Sequence, residues 1–178
     1  MRVLALFLLA MTATALAAAP NPVTVPTKLD PTWQAKARAM FKSAVEIPSV
    51  IGRGEVPRVA ELVASELKRG GFPASDIQIL PYEGQPGDKT AALLFRWRAT
   101  NPTAKPMLIL GHMDVVEAKR EDWQSDPFVL REEGGYFYGR GTSDMKNGVV
   151  TTTLALIKLR QAGFKPNRDI ILFFTGDE

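Results

Sequence analysis

Four side chains in this 178-residue chain have the types and the spacing to do chemistry: His112, Asp114, Asp144 and Glu178. His112 is the single histidine, so any reaction needing an imidazole must use it. It follows the apolar run Met107-Leu108-Ile109-Leu110 after one glycine, Gly111, with Asp114 two residues on. In an extended segment His112 and Asp114 share one face. A carboxylate there can fix the imidazole tautomer and leave the other nitrogen for a metal. The same pattern also fits a lone, buried, hydrogen-bonded histidine. Asp144 ends the loop Gly139-Arg140-Gly141-Thr142-Ser143 and precedes a helical pattern that opens at Met145. It can cap that helix, bind a metal, or do both, because one carboxylate has lone pairs for each task. Asp177 and Glu178 follow a second apolar run. They suit a solvated turn equally with a metal site or a general base.

Other chemistries fit less well. Gly139 to Asp144 begins like a dinucleotide fingerprint, but Asp144 stands where the third glycine belongs. Ser143 has Gly141 before it and Met145 after it, which is no nucleophile elbow. No phosphate loop of the Walker type is present.

The elements that must position these residues are legible from punctuation and period. Asp30-Pro31 is a helix-start signal. Trp33, Ala37, Met40, Ala44 and Val45 then recur at helical spacing up to Pro48. A second helix is expected from about Val56 to Lys68, with Val56, Val59, Leu62, Val63 and Leu67 inward and Gly70-Gly71 as the stop. Ile77 to Leu80 and Ala91 to Trp97 read as strands. Met107 to Leu110 and Asp169 to Phe174 read as strands buried on both faces. A helix from Met145 to Gln161 turns Val149, Val150, Thr153, Leu154 and Ile157 inward and stops at Gly163. Alternating strands and helices predict an α/β layered sandwich whose central sheet is largely parallel and flanked by helices. The three polar clusters, Gly111 to Val116, Tyr138 to Gly148 and Phe174 to Glu178, are each expected just past the end of a buried strand. Ligands of open α/β sheets bind beyond the carboxyl ends of strands.

Composition excludes several classes. Apolar residues make up 46% and charged residues 23%, with no cysteine, which is ordinary globular material and no disulfide scaffold. The net charge of +3 is spread along the chain without a basic run, so neither nucleic acid nor a membrane surface is an expected partner. Val3 to Ala19 carries no charge, and Ala15-Leu16-Ala17 fits a small-x-small cleavage rule. Residues 1–19 are therefore expected to be a secretory signal peptide rather than a stable membrane anchor, residues 20–29 a proline-rich linker, and residues 30–178 the folded domain. Export to a periplasm or full secretion follows from that reading.

The polar segments, in their order, resemble the aminoacylase, carboxypeptidase and acetylornithine deacetylase family of di-zinc metallohydrolases. Leu110-Gly111-His112-Met113-Asp114-Val115-Val116 is similar to its first metal motif. Trp123, Asp126-Pro127-Phe128, Tyr138-Gly139-Arg140-Gly141 and Asp144-Met145-Lys146 are similar to its second block. Phe174-Thr175-Gly176-Asp177-Glu178 is similar to the start of its Thr-x-Asp-Glu-Glu motif. Glu117 and Asn147 depart from the proline and glycine common there. The resemblance implies a zinc-exopeptidase catalytic domain with two Zn²⁺ per complete site, Co²⁺ being an alternative. It implies His112 as a metal ligand, Asp144 as the carboxylate shared by both ions, Asp114 as the orienter of His112, and Glu178 as the general base towards metal-activated water. The implied substrates are peptides or N-acyl amino acids, cleaved at a carbon–nitrogen bond. It also implies dimerisation through a lid domain that this sequence lacks.

A second glutamate, a later aspartate and a later histidine belong to that pattern and are not among these 178 residues. The chain is accordingly expected to be the N-terminal part of a longer enzyme, inactive and poor at binding zinc by itself. A different class, a non-catalytic exported peptide-binding protein or pseudoenzyme of the same fold, would lack those later ligands altogether. A nucleotide-binding enzyme using the Gly139–Gly141 loop is the weakest alternative.

Overall fold

The computed structural model describes residues 30–178; the expected signal peptide and linker lie outside them. Helix α1 runs over Pro31–Val45. The Asp30 carboxylate accepts the amides of Thr32 and Trp33, which gives two of the first-turn donors a partner. Helix α2 spans Val56–Arg69 and buries Val56, Val59, Val63 and Leu67 as one stripe. It stops at Gly70, where a Cβ would sit 2.7 Å from Ile157, so this glycine is what lets the helix end approach its neighbour.

Strands β1 (Ile77–Glu83), β2 (Lys89–Trp97) and β3 (Met107–His112) follow. A two-stranded hairpin comes next, β4 (Arg131–Glu133) and β5 (Tyr136–Tyr138), then helix α3 (Lys146–Gln161) and strand β6 (Ile170–Thr175). The main sheet has the order β1-β2-β6-β3. Its α/β layering is as expected, and its pairing is mixed. β3 and β6 run parallel, while β1–β2 and β2–β6 are antiparallel. Helix α2 packs on β1 and β2, α3 on β3, and α1 against α2 and α3. The core lies beneath them, with Val63, Leu67, Leu93, Phe95, Ile157 and Leu172 fully covered. Phe72 sets its ring edge-on to Phe95 and Trp97 there.

Two burial expectations need correction. β3 is an edge strand, and Leu108 and Leu110 are 56% and 63% exposed rather than buried on both faces. β6 sits centrally and is covered unequally. Ile170, Leu172 and Phe174 are buried, whereas Ile171 and Phe173 on the opposite face are only half-buried. An apolar run shows that a strand is apolar on both faces, and it does not show what covers the second one. The hairpin is an addition to the expected elements. Its turn is Gly134-Gly135 with both φ positive, at 60° and 84°, the geometry that a two-residue type I′ turn requires.

Parallel pairing of β3 with β6 sets His112 opposite Thr175. The carboxyl ends of both strands, and the segments that follow them, therefore emerge at one edge of the sheet. The Met113 amide donates to the Thr175 carbonyl at 2.8 Å and extends the pairing one step beyond the strands.

Candidate metal centre

His112 closes β3 and is almost fully buried. Its backbone amide rests on the Met145 sulfur at 3.3 Å, which ties the strand end to the start of α3. Its Nδ1 lies 3.1 Å from the backbone carbonyl of Asp114 and 3.5 Å from the Asp114 carboxylate. The closer partner of the imidazole is thus a carbonyl two residues on, and the Asp114 side chain stands behind it. The Oδ1 atom of Asp114 is buried without a hydrogen bond, and its Oδ2 accepts the Glu178 amide at 3.4 Å.

The other ring nitrogen faces outward. Nε2 of His112 is 3.0 Å from Oδ1 of Asp144 and 3.4 Å from Oε2 of Glu178. One ligand atom from each of these three residues fits within a 4.8 Å cluster. Asp114 lies just behind the cluster, and Asp177 outside it, with its carboxylate against Gly84 of the β1–β2 turn. Asp144 does not cap α3. The N-cap position belongs to Met145 and carries no side-chain bond, and the Asp144 side chain is 81% exposed on the cluster side. The bonds that hold the Gly139–Asp144 loop include Arg140 N–H to Pro127 O at 2.6 Å, Thr142 hydroxyl to Gly139 O at 2.9 Å, and Lys146 N–H to Gly141 O at 3.0 Å. Gly141 takes φ +84°, and a Cβ there would meet Val115 at 2.7 Å. This position therefore needs glycine on both counts.

Both nitrogens of His112 face acceptors. Burial opposes charging the ring, but the Asp144 hydrogen bond and the charges of Asp114, Glu178 and Asp144 prevail and raise its pKa. A ring held this way has a proton at Nδ1 fixed by a carbonyl and a cation-seeking Nε2. One imidazole nitrogen with two carboxylates is a donor set suited to zinc. These residues fit a metal.

Two buried polar residues escaped the sequence reading. Lys146 is wholly buried, and its ammonium donates to the Ile47 carbonyl at 2.5 Å. Burial pushes its pKa down to about 7, opposed by the nearby Asp114 charge. Its signal was its place on the α3 stripe, three and four residues before Val149 and Val150. Ser49, also wholly buried, donates to the Met113 carbonyl at 2.7 Å. Nothing in the local pattern around Pro48-Ser49 marks that contact.

Residues 108–178, which hold His112, Asp114, Asp144 and Glu178, match the profile of peptidase family M20/M25/M40. Over that segment the chain is similar to the M20 metallohydrolases. An N-fatty-acyl-amino acid synthase/hydrolase of Xenopus tropicalis, PM20D1, is 39% identical over 48% of this chain and 17% of its own length. A probable succinyl-diaminopimelate desuccinylase of Staphylococcus aureus is 45% identical over 41% of this chain and 19% of its own. Among solved structures, human carnosine dipeptidase 1 superposes with a TM-score of 0.63 at 27% identity, covering 82% of this chain and 32% of that one. The dipeptidase Dug1p of Saccharomyces cerevisiae shares the fold with a TM-score of 0.69 at 23% identity, over the same shares. The chain thus spans less than a fifth of the length of either relative and about a third of either solved chain.

Proposed function

We propose that this chain carries part of the active site of a zinc-dependent hydrolase that cleaves a peptide or N-acyl amino acid at its carbon–nitrogen bond. The convergence of His112, Asp144 and Glu178 within 4.8 Å supports the reading most directly. His112 Nε2 and the Asp144 carboxylate would hold the metal, and Asp144 is available for that because nothing in α3 uses it as a cap. Zinc, when bound, supplies charge that polarises an amide carbonyl and acidifies a water to near pKa 7, by about nine units relative to bulk water. The chain's own residues do the rest. The Asp114 carbonyl fixes the Nδ1 proton, so that the lone pair of His112 stays at Nε2. Glu178 takes the proton of the attacking water on its carboxylate and returns it to the leaving nitrogen. Its Oε2 lies 3.4 Å from the His112 nitrogen that would hold the metal.

Two ions need about three protein donors each. His112 and Asp144 fall short of that number, and the remaining donors come, in this proposal, from residues outside these 178. The charge-free stretch Val3 to Ala19 supports a further part of the reading, export to a periplasm or beyond.

The test uses the full-length protein. Metal content is measured by elemental analysis, and turnover on a panel of dipeptides and N-acyl amino acids with and without a chelator. Bound zinc and chelator-sensitive hydrolysis are expected. Substrate binding without metal or turnover would make the protein a non-catalytic binder instead.

A further inference from the structure

Among the described residues, the segment Ile47 to Val50 makes no hydrogen bond to His112 or Asp144, yet it is bonded to the elements that carry both. Lys146, two residues after Asp144, passes beneath Gly141 and donates to the Ile47 carbonyl at 2.5 Å. The Ser49 hydroxyl donates to the Met113 carbonyl at 2.7 Å, between His112 and Asp114. The Val115 amide returns a bond to the Ser49 carbonyl at 2.9 Å, and Val50 forms a parallel bridge to Val115. Pro48 restricts the backbone between the two anchor points. Both side chains that make the anchors are wholly buried.

We infer that Ile47–Val50 is a brace that sets the distance between His112 and Asp144, with Lys146 and Ser49 as the positioning residues of the metal site. The inference rests on the functional reading above. Asp144 sits on an exposed loop, and a mobile carboxylate is a poor ligand because each ordered torsion costs entropy on binding. Its loop is fixed from below by Lys146, whose far end reaches a segment 99 residues away in sequence. The His112–Asp114 segment is fixed by Ser49, from that same segment. Geometry is thereby passed from one ligand to the other through backbone bonded at both ends. Partners of this kind typically alter metal affinity by about 10–100-fold when removed.

The experiment titrates Co²⁺ into the full-length, metal-depleted protein and reads both affinity and the visible absorption that reports ligand geometry. The variants are Ser49→Ala, Lys146→Met, their combination, and Thr153→Val. Thr153 is an equally buried residue of α3 whose hydroxyl bonds only within the helix. The brace requires each single variant to bind Co²⁺ about 10–100-fold more weakly, with an altered spectrum. It requires Thr153→Val to match the parent in both. It also requires the double variant to lose less than the sum of the two singles, because both act through one segment. Folded Ser49→Ala and Lys146→Met proteins with parental affinity and spectrum overturn the inference. So does a fully additive double variant. If Lys146→Met does not fold, Ser49→Ala against Ser49→Cys decides, the cysteine restoring a weak donor and part of the affinity. Asp144→Ala, run alongside, separates the two readings. If it binds Co²⁺ like the parent, the site assignment is wrong and the brace falls with it. If it loses Co²⁺ while the brace variants do not, the brace alone falls.

Discussion

The Thr90 hydroxyl donates to the carbonyl of Gly176 at 2.8 Å, and the space above that glycine is already full. A Cβ on Gly176 would lie 2.4 Å from Thr90 Oγ1, 2.5 Å from the Ala91 carbonyl and 2.6 Å from Val56 Cγ1. The Gly176 amide meanwhile donates to the Tyr82 hydroxyl at 3.1 Å. Thr90 of β2 and Tyr82 of β1 therefore grip the peptide two residues before Glu178, and the grip allows no side chain.

Gly176→Ala is expected to destabilise the protein by about 1–3 kcal/mol, as overpacking against a backbone carbonyl does. It should also displace Glu178, since the only relief is movement of the chain after β6. Thermal unfolding measures the first effect and turnover the second. Unchanged turnover in a destabilised variant would show that Glu178 does not depend on this grip. Tyr82→Phe is the milder companion and removes one hydrogen bond, worth about 0.5–1.5 kcal/mol.

Acid stability should depend on Asp169, the residue before β6. Its carboxylate accepts the Ala99 amide at 2.8 Å and two Arg96 donors at 2.8 and 2.5 Å, and these hold its pKa below the usual carboxylate value of 3.8. A carboxyl group lowered on folding contributes stability that is complete above its unfolded pKa and is lost as pH falls through the folded one. Asp169→Asn should therefore cost stability at neutral pH, and the gap to the parent should close below about pH 4. Chemical denaturation at several pH values checks this. A constant gap across the acid range would refute the linkage.

What could be read in advance was local. Asp30-Pro31 and the Val56–Leu67 stripe define α1 and α2 because a cap and a 3.6-residue period are properties of neighbouring residues. The site residues His112, Asp144 and Glu178 were picked from their places after strand and loop patterns, and the structure brings these three together. The facts that depend on distant chain were not accessible. Leu108 and Leu110 look like core and lie on an open edge, because strand order is not written in a strand. The bond from His112 Nδ1 goes to the Asp114 carbonyl ahead of its carboxylate, since spacing alone cannot separate a residue's backbone from its side chain. Asp144 looks like a cap and turns away from the helix. Gly134-Gly135 did carry a turn signal that the short flanking strands obscured. Lys146 stood in plain sight on an apolar stripe, but its partner Ile47 lies 99 residues away.

Asp144→Ala in the full-length protein is expected to abolish turnover and lower the zinc content. Among the described residues the Asp144 side chain bonds only to His112, so little folding stability should be lost with it. That separation makes the variant informative. Metal analysis, turnover and thermal unfolding are measured on one preparation. A protein that keeps two zincs and normal turnover would remove Asp144 from the site. His112→Ala should differ, because the buried ring also bonds the Asp114 carbonyl. It should lose stability along with metal.

Glu178→Gln is expected to keep the metal and lose turnover by about 10²–10⁴, the usual contribution of a general base. The amide has nearly the shape of the carboxylate and still leaves the Glu178 backbone amide on Asp114 Oδ2. What it lacks is a site that accepts a proton near neutrality. The competing role, Glu178 as a ligand that completes the triad with His112 and Asp144, predicts another pattern. A neutral amide in place of an anionic oxygen would weaken the metal, and turnover would recover at high zinc. Zinc stoichiometry measured beside kcat, with and without added zinc, separates the two. Full metal occupancy with turnover that zinc cannot restore assigns proton transfer to Glu178. Low occupancy with turnover that zinc does restore makes it a ligand.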